Sequence, residues 1–292
     1  MKLAGALQKV NAKAAAGLFF HSSAPINMRL LRNLLLASAV LLPATAHAQR
    51  VLWYEDDATF SGQAATLAGA NGWTIGFWNS SDAAKSALDL SNYDVLVIAG
   101  YGSYGYNPLW SSKTDLQTVR GNRTFLSGQD ADFHETYGSC ASCAATFLSN
   151  AVNWAAAGSG LGIVGMNIGS FASNSNSFLY TELLGYTSYN GGNTVIIPGA
   201  TAGYPVNAGL TSAALSNWNS SYHETFATNT PGYTTINLSG DSYVPSDFAA
   251  VTILTESEAA GGTTSTPEPA SMVLMATGLV GIIGFARRKR NS

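Results

Sequence analysis

The stretch Asp94-Val95-Leu96-Val97-Ile98-Ala99-Gly100 is the most restrictive feature of this 292-residue chain. A strand with one wet face alternates apolar and polar side chains. One that is apolar at every position has to be covered on both sides, as parallel strands of α/β sheets are. The neighbouring segments fit that architecture. Val51-Leu52-Trp53-Tyr54 is a first apolar run, Ser61 to Ala70 has helical composition with a Gly72 stop, and Trp73 to Trp78 is a second β-rich run. Asp82 to Leu88 is expected as a short helix with Asp82 near its N-cap, and Leu109 to Val119 as another helix. Thr124-Phe125-Leu126, the Ala-rich Ala144 to Ala157 and Leu161 to Met166 continue the alternation as strand, helix and strand.

This βαβαβαβαβ order predicts an α/β fold: a three-layer, mostly parallel sheet with helices on both faces. Beyond about residue 190 the pattern loosens, with Thr194 to Ile197 and Phe248 to Leu254 as further strands between Gly- and Asn-rich loops. Hydrophobic residues make up 46% of the chain and charged residues 11%. Soluble proteins average roughly a quarter charged, so disorder of the body is excluded.

Both ends read as addresses. From Met28 the chain runs MRLLRNLLLASAVLLPATAHAQR, with Arg29 and Arg32 as a basic n-region, Leu34 to Leu42 as an apolar h-region and Ala46-His47-Ala48 as a small-x-small site. That order describes a secretory signal peptide over 28–48, with cleavage before Gln49. Residues 1–27 read as neither signal nor core, an upstream extension that leaves Met1 and Met28 both open as the start. At the other end, Pro267-Glu268-Pro269 precedes 16 mainly apolar residues, 271–286, and the basic run Arg287-Arg288-Lys289-Arg290. Sixteen is short for a spanning helix, which needs about 20, but the basic cluster can act as a cytoplasmic anchor. This arrangement resembles the PEP-CTERM sorting signal. The resemblance implies that exosortase acts at Pro267 to Pro269 while Arg287 to Arg290 hold the tail inside. Residues 256–266, polar and rich in Gly and Thr, read as a flexible linker, leaving 49–255 as one extracytoplasmic domain.

Once the ends are removed the charge changes meaning. The formal net charge of the chain is −3, but residues 50–266 hold five basic and sixteen acidic groups, a net of −11. An acidic domain argues against binding nucleic acid or anionic lipid and favours a bridging cation.

Tyr93-Asp94 before the third strand, the turn Gly128-Gln129-Asp130-Ala131-Asp132, and Asn207-Ala208-Gly209-Leu210 leading to Tyr222-His223-Glu224 together resemble the class I glutamine amidotransferase-like, flavodoxin-type fold and its ThuA-like branch. The family places a nucleophilic Cys on the turn after the fourth strand. Here that turn reads Leu126-Ser127-Gly128-Gln129-Asp130, so the resemblance implies the fold without amidotransferase chemistry. It also implies a Tyr or His near an acid late in the domain, the neighbourhood of His223 and Glu224.

Ligands of open parallel sheets collect outside the carboxyl ends of the strands. Three polar clusters are expected there: Glu55-Asp56-Asp57, Gly100 to Gly105 with Tyr101 and Ser103, and Gln129-Asp130-Ala131-Asp132-Phe133-His134. Carboxylates with imidazoles can hold a divalent cation: Ca²⁺ if oxygen donors dominate, a transition metal if His134 and His223 join. Asp130, Asp132 and His134 are the metal candidates. They can equally bind sugar hydroxyls, with Tyr101, Tyr104 or Tyr106 as ring faces. Asp56, Asp57, Tyr101, Ser103, Gln129, Asp130 and Asp132 are the candidate ligand-binding residues, and the competing reading is that such acids cap helices and order loops. His134 and His223 are the only histidines of the mature body, and with Glu224 they are the candidates for any acid–base chemistry.

Gly100 to Gly105 matches G-x-G-x-x-G, yet it follows the third strand, Asn107-Pro108 intervenes, and no acid stands about 20 residues on, so no nucleotide is expected. Position 101 is Tyr, which also excludes a nucleophile elbow centred on Ser103. Cys140-Ala141-Ser142-Cys143 reads as a small disulfide in an oxidising compartment, with redox or zinc roles as the alternatives.

The expected protein is exported through the Sec translocon and cut by signal peptidase. Its tail holds it in the inner membrane until exosortase sorts it to the envelope or the exterior. Its domain is expected to bind a ligand such as extracellular polysaccharide, with no amidotransferase activity and little or no other catalysis. The alternatives are a carbohydrate-acting or metal-dependent hydrolase using Asp130, Asp132, His134 and His223, and a purely structural surface component.

Overall fold

The computed structural model describes residues 48–100, 105–183 and 191–256. The expected signal peptide up to residue 47, Tyr101, Ser103, Tyr104, the expected linker beyond Glu256 and the whole sorting signal lie outside the described residues; Glu256, expected to open the linker, is instead the last residue of a strand. Among the described residues no helix is long and apolar enough to cross a membrane.

The continuous apolar runs become strands buried throughout: β1 (Arg50–Tyr54) beyond its first residue, β3 (Val95–Ala99) and β5 (Leu161–Met166). Alternate side chains of these strands enter two separate cores. Val51, Trp53, Val95, Val97 and Val164 pack with α1 (Ala58–Asn71) and α6 (Ala141–Ala156) on one face. Leu52, Tyr54, Leu96, Ile98 and Ile163 pack on the other face with residues of α2 (Ala87–Leu90), α3 (Asn107–Ser111), α4 (Lys113–Val119) and α7 (Gly169–Ala172). This is the three-layer arrangement the alternation predicts.

The helix limits follow local chemistry. Asp57 caps α1, its side chain accepting from Thr59 N at 2.7 Å, and Gly72 ends it in the left-handed conformation at φ 70°. The short helix α2 starts five residues later than expected. Ser86 and Asp89 form its capping box, while Asp82 accepts from Asn79 N and orders the preceding turn. The segment 109–119 is two helices, α3 and α4, meeting at Ser112.

The sheet has eight strands in the order β2-β1-β3-β5-β4-β8-β7-β6, with β2 (Thr74–Trp78), β4 (Arg120–Ser127), β6 (Val195–Ile196), β7 (Thr234–Ser239) and β8 (Ala250–Glu256). The first five strands are parallel, and β8, β7 and β6 extend the sheet antiparallel. A flavodoxin-type sheet runs 2-1-3-4-5. Here β5 lies between β3 and β4, and the outer edge of β4 is taken by β8, so the flavodoxin-type order does not hold. Which edge each crossover returns to is decided by packing, on which the hydrophobic runs are silent.

Candidate functional site

Three of the expected residues converge. Ser127 ends β4, and the chain turns through Gly128 and Gln129 into α5 (Ala131–Tyr137), whose N-cap is Asp130. Asp130 and His134 stand four residues apart, which puts both on one face of that helix. Residues 222–224 run back to the same turn, His223 N donating to Gly128 O at 2.9 Å and Gly128 N to Val251 O at 2.8 Å. The approach is too close for a side chain: a Cβ on Gly128 would lie 1.8 Å from the carbonyl oxygen of Glu224. Gly128 is therefore what lets a segment 93 residues away reach Asp130.

The result is one buried carboxylate between two imidazoles. Asp130 is fully buried, with Oδ2 3.0 Å from His223 Nε2 and Oδ1 3.1 Å from His134 Nε2. His134 is itself buried, and its Nε2 also faces the carbonyl oxygen of Ser220 at 2.5 Å. Burial opposes ionisation of Asp130, but the neighbouring His134 and His223 outweigh it and hold its carboxyl below the ordinary value. The hydrogen bond to Asp130 raises His223 above the usual imidazole value, against partial desolvation. The three side chains bring their donor atoms within 4.8 Å of one another. Asp132, expected in a metal set with Asp130 and His134, is not in this group; His223 takes its place.

The other acids are used differently. Asp57 caps α1, and Asp56 Oδ1 accepts from Ser80 N at 2.6 Å. Glu55 is buried, one oxygen accepting from Asp57 N, and burial raises its carboxyl to about 7. Glu224 is buried, with Oε2 accepting from Gly169 N at 2.7 Å. Burial raises the Tyr106 hydroxyl, and Glu224, Asp132 and Glu55 add to the effect, so these groups share one electrostatic neighbourhood at the strand ends. Tyr106 itself is buried and stacks near Tyr54 and Phe171, which removes it as a ring face for a sugar. Gln129 is buried, its Nε2 donating to Leu215 O at 3.3 Å. Cys140 and Cys143 form a disulfide at the start of α6, which withdraws both thiols from metal ligation.

Reasoning from the sequence missed an aromatic group beside the carboxylate cluster. Phe133 and Tyr137, again four residues apart on α5, have ring centroids 5.1 Å apart, and each lies about 6 Å from Phe60 on α1. Tyr137 is 54% exposed. Reading residues 131–137 as a helix would have revealed both this pair and the Asp130–His134 pair.

No curated protein and no solved structure matches the chain. Residues 265–290 match the PEP-CTERM protein-sorting motif, which supports an exported protein sorted to the cell envelope by exosortase.

Proposed function

We propose that the domain over residues 49–255 is a ligand-binding module of the cell envelope, taking polysaccharide at the carboxyl end of β4. The observation that carries this reading is the exposed Tyr137 ring, supported by Phe133 and Phe60, on the same short helix as the Asp130–His134 pair. Aromatic faces stack on the apolar side of a pyranose, while the part-exposed His223 ring can donate to or accept from its hydroxyls. In this reading the signal peptide over 28–48 brings the chain through the Sec translocon to signal peptidase. The tail anchors it until exosortase acts at Pro267 to Pro269, with Arg287, Arg288, Lys289 and Arg290 as the cytoplasmic stop. Amidotransferase chemistry has no part in this reading, since the turn after β4 carries Ser127-Gly128-Gln129 and no thiol.

Polysaccharide pull-down with the full-length protein tests the proposal. Tyr137→Ala is expected to weaken retention about tenfold, the loss of a stacking contact worth 1 kcal/mol or somewhat more. Retention equal to wild type would remove the site from this position.

The approach of His223 to Asp130 favours a second reading, hydrolysis of carbohydrate with His223 as the acid–base group. An imidazole held by a buried carboxylate is oriented for proton transfer. Release of reducing ends from envelope polysaccharide, lost in His223→Ala, would establish it.

A further inference from the structure

We propose that Asp130, His134 and His223 bind one divalent transition ion, with Zn²⁺ as its representative. Two imidazole nitrogens and a carboxylate form a donor set suited to such ions, whereas Ca²⁺ and Mg²⁺ prefer all-oxygen shells. Ligand atoms about 2.0–2.2 Å from a tetrahedral zinc ion stand roughly 3.4 Å from one another. The Nε2 atoms of His134 and His223 lie 3.1 and 3.0 Å from Asp130 Oδ1 and Oδ2 respectively, and one donor atom from each of the three residues stands within 4.8 Å of the others, so side-chain adjustment of about an ångström closes the set on an ion.

The hydrogen bonding supplies an independent reason. Without an ion, three acceptors face these nitrogens: Asp130 Oδ1, Asp130 Oδ2 and the carbonyl of Ser220. Each Nε2 can carry only one proton. His223 serves Oδ2, and His134 is turned toward the Ser220 carbonyl at 2.5 Å. Asp130 Oδ1 is then a fully buried carboxylate oxygen 3.1 Å from a ring nitrogen yet without a hydrogen bond. A buried carboxylate oxygen left without a hydrogen bond is costly even when imidazoles stand beside the charge. A cation bound by two neutral imidazoles and the carboxylate satisfies it, and the Ser220 carbonyl beside His134 Nε2 is a further oxygen donor. Because the donors sit on a helix and on a segment fixed through Gly128, the set is pre-organised.

The site stands without the saccharide reading, and its test contains no saccharide. Full-length protein stripped with EDTA is titrated with Zn²⁺, metal content is measured after dialysis, and the melting temperature is recorded with and without Zn²⁺. One Zn²⁺ per chain is expected, with a higher melting temperature. His223 is half-buried, so His223→Ala should fold. Losing a direct ligand in this variant is expected to weaken binding by more than the roughly 10–100-fold that loss of an outer-shell partner causes. Asp130→Asn is expected to do the same, and Asp132→Asn to leave the affinity within twofold. Substoichiometric binding by the wild type, unchanged affinity in His223→Ala, or equal affinity for Ca²⁺ would overturn the proposal.

Discussion

The two ends of β4 carry charged clusters built in opposite ways. At its start, Arg120 forks onto both oxygens of Glu182, Nη2 reaching Oε2 at 2.9 Å, while its Nε donates to Thr124 Oγ1 and the Tyr233 hydroxyl donates to Glu182 Oε2 at 2.6 Å. Both carboxylate oxygens there have donors. Just past the other end, Asp130 is more deeply buried, and one of its oxygens is left without a hydrogen bond. The same strand thus shows what a matched ion pair looks like when it only has to tie a loop to the sheet. Against that internal reference, Asp130 is the less completely matched of the two carboxylates, which is why the proposed site is placed at the carboxyl end of β4.

Breaking the matched end should have the largest effect on stability. Arg120→Ala strands Glu182 and Tyr233 in a partly buried place, and a loss of about 2–3 kcal/mol in urea unfolding is expected, below the full cost for a buried pair because Glu182 keeps some solvent. Asp130→Asn removes a charge that is only partly matched, so it should cost less, on the order of 1 kcal/mol in the absence of metal. If it costs as much as Arg120→Ala, the contrast between the two ends fails.

Glu55 sharpens the picture through pH. Its carboxyl is raised to about 7 by burial, so the folded state keeps a proton that the unfolded chain sheds near the ordinary carboxylate value. Its contribution is therefore fully present below that value and is lost as pH rises through about 7. Glu135, also raised to about 7 by burial, acts in the same direction. Glu55→Gln is expected to flatten the decline between pH 5 and 8 by about 2 kcal/mol, read from melting curves across that range. The Asp130–His223 pair behaves differently at each limit. The lowered Asp130 contributes above the ordinary carboxylate value and loses that contribution as pH falls through its depressed value. The raised His223 contributes below the ordinary imidazole value and loses that contribution as pH rises through its elevated one. His223→Ala should remove the alkaline part of this dependence, a change of about 1 kcal/mol or less given its partial exposure.

The smallest effect should come from Asp57→Ala. It deletes the N-cap of α1 and should cost about 0.5–1 kcal/mol, with Zn²⁺ affinity unaltered. A changed affinity would extend the site to the β1 end, where the sequence placed a ligand-binding candidate.

The parts of the fold legible in advance were those written in apolar side chains. β5 is Leu161–Met166 as the run predicts, and β3 loses only its first polar residue. β7 was not legible: Thr234–Ser239 is mostly Thr, Asn and Ser, and it is a strand because β6 and β8 pair with it on both sides. Its buried Asn237 is satisfied by the amide of Asn207 at 3.0 Å, an interaction with no hydrophobic signature. The helix 131–137 was also hidden, since seven residues leave too little periodicity to read. With it went the Asp130–His134 spacing and the Phe133–Tyr137 platform.

By itself the sequence determined a three-layer α/β body and its acidity, because consecutive burial and net charge are properties of side chains in order. It also carried the PEP-CTERM tail, a signal of composition and spacing. Only the tertiary structure decided the strand order, and with it which polar residues meet. His223 reaches Asp130 through a backbone contact at Gly128 across 93 positions, and no local pattern encodes a contact whose partners are joined only by the packing of everything between them.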